Sequence, residues 1–514
     1  MHLPIRSASA LVFLAVPALA AGQDALPHCA APPSGLPADI RERRIGLERG
    51  AGTLRQKVST ASAEAQAFYD QGVTFLASYV WVDAARSFHE ALRLDEGLAM
   101  AHVGLARAFI GVSDDTRARI HADRAADLAP NRVTEKESRW IAVMRQRLDA
   151  RQARGAAKDA AYRAYAAALD GLIALDPADP HAWVLRGTAE EPSAPWGTGQ
   201  HGGVGSIAYY ETALARDPQH LGAHHFLIHS YENIARYAEA AEHGRIFAQA
   251  APAVPHAQHM WAHVLPRVGD WPRALTQMSA ADRLHREYFA ALGVPPAEDW
   301  HYPHNLHLLA TIHLRLGHET DAARLYEEGF RLGKSSIAPW VEYLLLRGRN
   351  EEALAAAREA ATRSGSTSAY VGAALEGQAL LGLGRLSEAR DALAGAEKAY
   401  ERMLDSVRDR PGEWQLPQRV GHHLKTLRAL VALSSGGGDR AEALLLEMAD
   451  QFASEPGIDS WANGLVHLDR VAGLARRAGR ERLAASVEER IRRIDPAVSS
   501  ADTRAPVAPG DTPD

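Results

Sequence analysis

Residues 65–98 read AQAFYDQGVTFLASYVWVDAARSFHEALRLDEGL. Counted from Ala65, residues Phe68, Gly72, Phe75, Ala84, Phe88 and Ala91 fall at positions 4, 8, 11, 20, 24 and 27 of a thirty-four-residue unit. The next unit repeats the register with Leu105, Phe109, Ala118, Ala122, Ala125 and Pro130. Small residues at 8 and 20 let two antiparallel helices approach closely, and large residues at 4, 11 and 24 fill the seam. Proline at position 32 stops the second helix. A single pair of this kind cannot bury its apolar face, so the units must stack.

Outward from this stretch the same marks recur. Leu175-Asp176-Pro177 and Arg216-Asp217-Pro218 end units, Pro218 and Pro252 lie thirty-four residues apart, and so do Ala240 and Ala274. Turn signatures follow at Gly317-His318-Glu319, Gly348-Arg349-Asn350, Gly384-Arg385-Leu386 and Gly438-Asp439-Arg440, and Ile494-Asp495-Pro496 closes the last unit. The pattern resembles the tetratricopeptide repeat. The resemblance implies an all-α solenoid of about nine or ten stacked antiparallel helix pairs, curved around a concave groove. Residues 61–335 form its N-terminal part and residues 336–498 its C-terminal part. Glu191 to Gly205 and Gly293 to Pro303 interrupt the repeat as insertions. Residues 499–514 are polar and rich in Pro and Asp, the composition of a disordered tail.

The 514-residue chain has a formal charge of only −6 and no basic face rich in aromatics, so nucleic acid is not an expected partner. Residues 1–20 read as a secretory signal, with Arg6 near the start, an apolar run from Ala10 to Leu19, and Ala18-Leu19-Ala20 as a small-x-small cleavage site. That run is too short to span a bilayer, and no later segment reaches eighteen apolar residues. The expected location is periplasmic or secreted. Residues 21–60 read as a linker and a first short helix. Cys29 is the one cysteine, so no internal disulfide and little thiolate metal chemistry are expected.

Fourteen of the twenty-four histidines lie between His220 and His318. With Leu221, Pro255 and Pro303 taken as position 1 of three units, positions 2, 5 and 9 of the first helices can be compared. They are Gly222, His225 and His229; His256, His259 and His263; and His304, His307 and Thr311. Glu232 follows at position 12 of the first. Seven of these nine positions are histidine. By the repeat resemblance they line the concave groove. Residues i and i+4 of a helix stand with β-carbons roughly 5–6 Å apart, and packed helices lie about 8–10 Å apart, so pairs on adjacent units face one shared space. One HxxxH pair on a helix is a weak signal; the register across three units is what carries weight. Imidazole suits zinc, copper, iron or nickel. The expected metal ligands are His225, His229, His259, His263, His304 and His307, around one mononuclear or one dinuclear centre. Glu232 is expected as ligand, as an acceptor fixing an imidazole tautomer, or as catalytic base. His220, His224, His243, His285, His313 and His318 fall off the register and read as surface or structural residues.

The runs Pro218-x-His220-x-Gly222-Ala223-x-His225-x-x-Ile228-His229-x-x-Glu232 and His256-x-x-His259-Met260-x-x-His263-x-x-x-Arg267-x-Gly269 resemble segments of a group of exported bacterial tetratricopeptide proteins. Tyr302-x-His304-Asn305-x-His307 and Glu64-Ala65-Gln66-x-x-x-Asp70-Gln71-Gly72 match the same group. The resemblance covers roughly residues 55–330 and implies a shared site without a reaction. Two positions depart from it. Trp81 stands where a histidine is expected in the first inter-helix turn, and Trp261 where a proline usually follows His259-Met260. Glu190-Glu191 and Trp196 are candidates for a lid, and His301 or Tyr302 for reaching the site from the second insertion. Arg267 reads as structural or as an anion contact, and Asp270 as a turn residue. The sequence holds no P-loop, GxGxxG, GxSxG or HExxH motif. The leading expectation is an exported repeat protein that binds a transition metal (copper, zinc or iron) on its concave face. If it is an enzyme, two classes fit, a metal-dependent hydrolase or a copper or iron oxidase or oxygenase. The alternative is a scaffold whose groove binds a peptide or partner protein.

Overall fold

The computed structural model describes residues 41–191, 200–299, 301–333, 337–363, 365–408, 420–456 and 460–497. The expected signal segment, Cys29, Trp196 with most of its insertion, and the polar tail lie outside the described residues. Among the described residues twenty-two α-helices run in chain order and pair into eleven antiparallel hairpins, one or two more than the repeat marks count. They are α1 (Ala63–Ala77) with α2 (Trp81–Leu94), α3 (Ala99–Gly111) with α4 (Asp115–Leu128), α5 (Glu135–Gln152) with α6 (Ala157–Leu175), and α7 (Pro180–Thr188) with α8 (Val204–Leu214). Next come α9 (Leu221–Glu232) with α10 (Tyr237–Ala250), α11 (Pro255–Val264) with α12 (Trp271–Leu292), and α13 (Tyr302–Arg315) with α14 (Glu319–Leu332). The last four hairpins are α15 (Ile337–Leu346) with α16 (Asn350–Ala361), α17 (Ser366–Gly382) with α18 (Leu386–Val407), α19 (His422–Ser434) with α20 (Gly438–Ser454), and α21 (Ser460–Arg477) with α22 (Glu481–Ile494). The fold is an all-α, tetratricopeptide-like solenoid. Among the described residues no helix is long and apolar enough to cross a membrane.

The residues that define the repeat do the packing assigned to them. Phe88, Ala84 and Ala91 are fully buried, as are Ala118, Ala122 and Ala125. The Phe88 ring lies between two glycines: a β-carbon at Gly72 would stand 2.6 Å from it and one at Gly104 2.4 Å. Helix starts carry side-chain caps at Ser62, Asp114, Asp179 and Asp270, and a capping box at Thr134–Glu137. Gly317, Gly348 and Gly384 make the inter-helix turns at φ of 81°, 70° and 73°, the left-handed region that costs glycine nothing. Buried side chains form two clusters, one reaching from Ile45 to Val264 and the other from Ala262 to Ile494, which meet at α11.

Two long-range features close the solenoid around α9, α11 and α13. The first is the segment before α1. Residues 43–62 contain no helix; the one expected there reaches the described part only at residues 41–42. The segment runs extended and antiparallel to α1 as a strap. Backbone N–H groups of Leu54, Gln56 and Val58 donate to Thr74 Oγ1 (2.9 Å), Asp70 Oδ1 (3.0 Å) and Gln66 Oε1 (3.1 Å). The match is metric: two extended residues rise about 6.6 Å, and four helical residues about 6 Å. Every second strap residue therefore meets every fourth helix residue. Gln71 brackets the strap further on, accepting from Glu48 N–H (2.7 Å) and donating to Gly46 O (3.0 Å). This gives the Gln66, Asp70 and Gln71 motif a physical role. The second feature is the return of the C-terminal hairpin. Trp461 Nε1 donates to His263 O (3.1 Å), Trp271 Nε1 to Asp495 Oδ1 (2.9 Å), and Arg315 spans Asp469 and Asp495.

Candidate metal centre

Helices α9, α11 and α13 lie side by side and turn their histidines into one closed chamber. His225, His229 and Glu232 of α9 are fully buried, as are His259 and, to 1%, His263 of α11. The ligand nitrogens sort into two triads, each with atoms mutually within 4.8 Å: His225, His229 and His256, and His259, His263 and His304. The triads adjoin, the His256 and His259 rings being stacked 5.8 Å apart. His225 Nε2 and His256 Nε2 are 3.1 Å apart across the gap between α9 and α11.

Five of the six expected ligands thus come together: His225, His229, His259, His263 and His304. His307 falls outside both triads. It lies one turn along α13 from His304, with its ring 6.2 Å from Tyr326 of α14. His256 takes the place it leaves, from position 2 of its unit. His301, flagged only as a neighbour, sits between the triads, with its ring 4.7 Å from His256, 4.1 Å from His259 and 5.4 Å from His304. His285, read as structural, is buried behind it at 5.6 Å. The remaining off-register histidines pair elsewhere: His224 with His243 (2.8 Å), His313 with His318 (3.2 Å) and His220 with His181 (3.2 Å). His220 also caps α9 through Nδ1. Arg267 lies over the Tyr237 ring at 4.3 Å, the structural reading, and Asp270 caps α12.

An oxygen holds Nδ1 on three of the imidazoles. His225 Nδ1 is 2.7 Å from Ala77 O, which accepts only, so Nδ1 carries the proton and Nε2 the lone pair. His259 Nδ1 is 3.2 Å from Asn305 Oδ1, and His263 Nδ1 is 3.1 Å from Glu232 Oε2. A carbonyl, amide or carboxylate behind each imidazole is the arrangement that orients metal-bound histidine. Burial keeps the rings neutral: it pushes His225 down to about 3 and holds His229, His256 and His301 well below the usual imidazole range, each further depressed by imidazoles around it in the last three. His229 buries both ring nitrogens without a hydrogen-bond partner. Desolvation of this many polar groups, and of a carboxylate with no exposed surface, costs several kcal/mol. A cation held by these groups would offset it.

Tyr79 forms the roof. Its φ of 57° is a conformation that a bulky residue rarely holds, and such strain collects at functional sites. The ring lies 4.4 Å from His225, 5.1 Å from His256 and 6.5 Å from His229. Trp81, standing where a histidine was expected, stacks on Tyr79 at 5.2 Å. Beside the chamber opens a cavity of about 470 Å³. His256, His285 and His301 stand in its wall with apolar Tyr79, Trp81, Val254 and Tyr288, and the strap residues Arg44 and Glu48 at its edge. Glu232 does not line it. Sequence reasoning missed Tyr79, Asn305 as an orienting group, and the strap. Asn305 carried a signal in its place in the His304–His307 motif, and the strap in Gln66, Asp70 and Gln71 of the other quoted motif; Tyr79 carried none.

Fold and site define a tetratricopeptide-like solenoid with a buried polyhistidine chamber. No protein-family model and no curated protein matches the chain. Similar solved structures include yeast Tom70, 13% identical over 84% of this chain and 93% of that one, with a TM-score of 0.39. A Rap protein complexed with Competence and Sporulation Factor is 13% identical over 77% and 97%, with a TM-score of 0.42. The APC/C hetero-tetramer Cut9–Hcn1 is 13% identical over 80% and 83%, with a TM-score of 0.34. At such identities the likeness concerns the fold alone.

Proposed function

We propose that this chain is an exported metalloprotein whose two histidine triads hold transition-metal ions side by side, and that the adjoining cavity admits a small substrate to them. The observation that carries the reading is the convergence of six buried imidazoles with a buried carboxylate, with Ala77 O behind His225, Asn305 behind His259 and Glu232 Oε2 3.1 Å from His263 Nδ1. Nitrogen-only triads suit copper, zinc or iron. Such ions, when bound, supply Lewis acidity or electron transfer. The chain's own residues orient the imidazoles, keep them neutral and exclude water. Glu232, away from the cavity, is placed to orient His263 rather than to take a substrate proton. His301 and His285 are the titratable groups nearest an incoming substrate. A hydrolase and an oxidase or oxygenase both fit, since the carboxylates Glu48, Asp83, Glu287, Glu298 and Asp299 stand in the cavity wall with His256, His285 and His301. Export rests on the apolar run and small-x-small site in residues 1–20.

Titration of the metal-free chain with Cu(II), Zn(II) or Fe(II) tests this. About two equivalents should bind, with His229→Ala and His304→Ala each abolishing one. Unchanged stoichiometry in both variants contradicts the assignment.

A second reading has its own observation. The face of α1 already cradles an extended peptide, the strap, by alternate backbone hydrogen bonds. A scaffold that binds a partner peptide there would have to displace residues 45–59. If deleting those residues creates peptide binding while metal content stays at zero, the scaffold reading replaces the metal one.

A further inference from the structure

A second cluster of metal-ligating side chains lies in the C-terminal half, on none of the helices of the central chamber. Glu342 of α15, His422 and His423 of α19, and His467 of α21 each offer an atom within 4.8 Å of the others, and all four are buried. His467 and Met448 of α20 have no exposed surface. Four helices distant in sequence thus converge on one point.

The hydrogen bonding decides which atoms face inward. His467 Nδ1 is 2.6 Å from Glu342 Oε1. Arg470 approaches the same nitrogen at 3.4 Å, but a guanidinium offers only donors, so the shorter contact to the carboxylate sets the tautomer. The proton sits on Nδ1 and Nε2 carries the lone pair. That lone pair is aimed at Met448 Sδ, 3.1 Å away, with Thr426 Oγ1 2.9 Å from both. The His422 ring lies 3.9 Å from that of His423 and 4.9 Å from that of His467. His423 Nδ1 is buried without a hydrogen-bond partner, 3.6 Å from Glu342 Oε1.

Charge selects the ion. Glu342 and Arg470, 4.0 Å apart, compensate one another inside the protein. A divalent ion would add two uncompensated charges to a pocket with no solvent; a monovalent ion adds one. Thioether with imidazole is a soft donor set, which selects Cu(I) over harder ions. From these contacts we infer a second metal site that takes Cu(I), held by His467 Nε2, Met448 Sδ and the His422–His423 pair, with Glu342 as the group that orients His467. The site ties α15, α19, α20 and α21 together and stands independently of the central triads.

The test uses the full chain with the central centre removed by His229→Ala, His259→Ala and His304→Ala. This chain is titrated anaerobically with Cu(I) against a chromogenic Cu(I) chelator. One equivalent should still bind, and X-ray absorption should show a sulfur neighbour. Adding Met448→Leu, which keeps the volume and the fold, should weaken that binding at least tenfold and remove the sulfur signal, with the helical circular dichroism unchanged. His467→Gln should also weaken the binding at least tenfold, while copper still bound at high loading keeps its sulfur neighbour. Failure of the triple variant to hold Cu(I), or indifference of its affinity to Met448→Leu, overturns the site. Neither result bears on the central triads, which are scored by the metal lost in the triple variant itself.

Discussion

Acidification of the metal-free protein from pH 7 to pH 5.5 should destabilise it by about 5 kcal/mol through four residues. His225, His229, His256 and His301 are buried with folded-state pKa values below the usual 6.5, about 3 in the case of His225. In the unfolded chain each returns to about 6.5. Between that value and the folded one the unfolded state binds protons that the folded state refuses. Stability is therefore complete above about pH 7 and falls as the pH falls. Integrating the linkage relation over this interval gives about 1.2 kcal/mol per imidazole. Glu48, Asp70 and Asp83, raised by burial, take up protons in the folded state on the same descent and offset a part. Urea unfolding followed by circular dichroism reads the effect. With a slope of about 3 kcal/mol per molar urea, the midpoint should drop by about 1.7 M. The double variant His256→Gln/His301→Gln removes two of the four chamber groups and should lose about 2.5 kcal/mol of the pH dependence, while buried histidines elsewhere, His89, His102, His121 and His243 among them, keep their share. A wild-type midpoint that moves by less than about 0.3 M, or a double variant with the full dependence, refutes the idea of a chamber of enforced-neutral imidazoles.

Other perturbations follow from single contacts. Asn305→Ala removes the acceptor behind His259 and should weaken metal binding by about 10- to 100-fold without changing the number of sites, as measured by competition with a chelator. Gly104→Ala drives a methyl into the Phe88 ring and should cost about 1–3 kcal/mol in thermal or urea unfolding; a neutral result would mean that the α2–α3 seam is looser than its contacts. Asp70→Ala orphans Gln56 N–H and loosens the strap, so hydrogen exchange should rise at residues 54–60 before it rises in α1; equal protection in variant and parent would show that the strap is held by its apolar residues alone.

Much of this was legible in the chain because helical repeats write their packing locally. Phe88 between two glycines, and the register His225–His229 with His259–His263, need only spacing to be read. What escaped depends on contacts distant in sequence. The extended strap pairs with α1 by backbone groups that carry no residue code, and only Gln66, Asp70 and Gln71 hinted at it. His256 joins a triad and His307 does not, because which histidine of a helix face meets its neighbour depends on how α9, α11 and α13 pack, which spacing along the chain does not encode. Tyr79 roofs the site from a left-handed conformation that nothing in its neighbours demands. The C-terminal cluster draws on positions 342, 422, 423, 448 and 467, with no shared period.

The most direct measurement is the metal content, by elemental mass spectrometry, of untagged protein beside its His259→Ala variant. The account predicts copper, zinc or iron at about one equivalent or more per chain in the parent and loss of most of the metal at the triads in the variant. A parent without metal, or a variant that keeps all of it, contradicts the central claim.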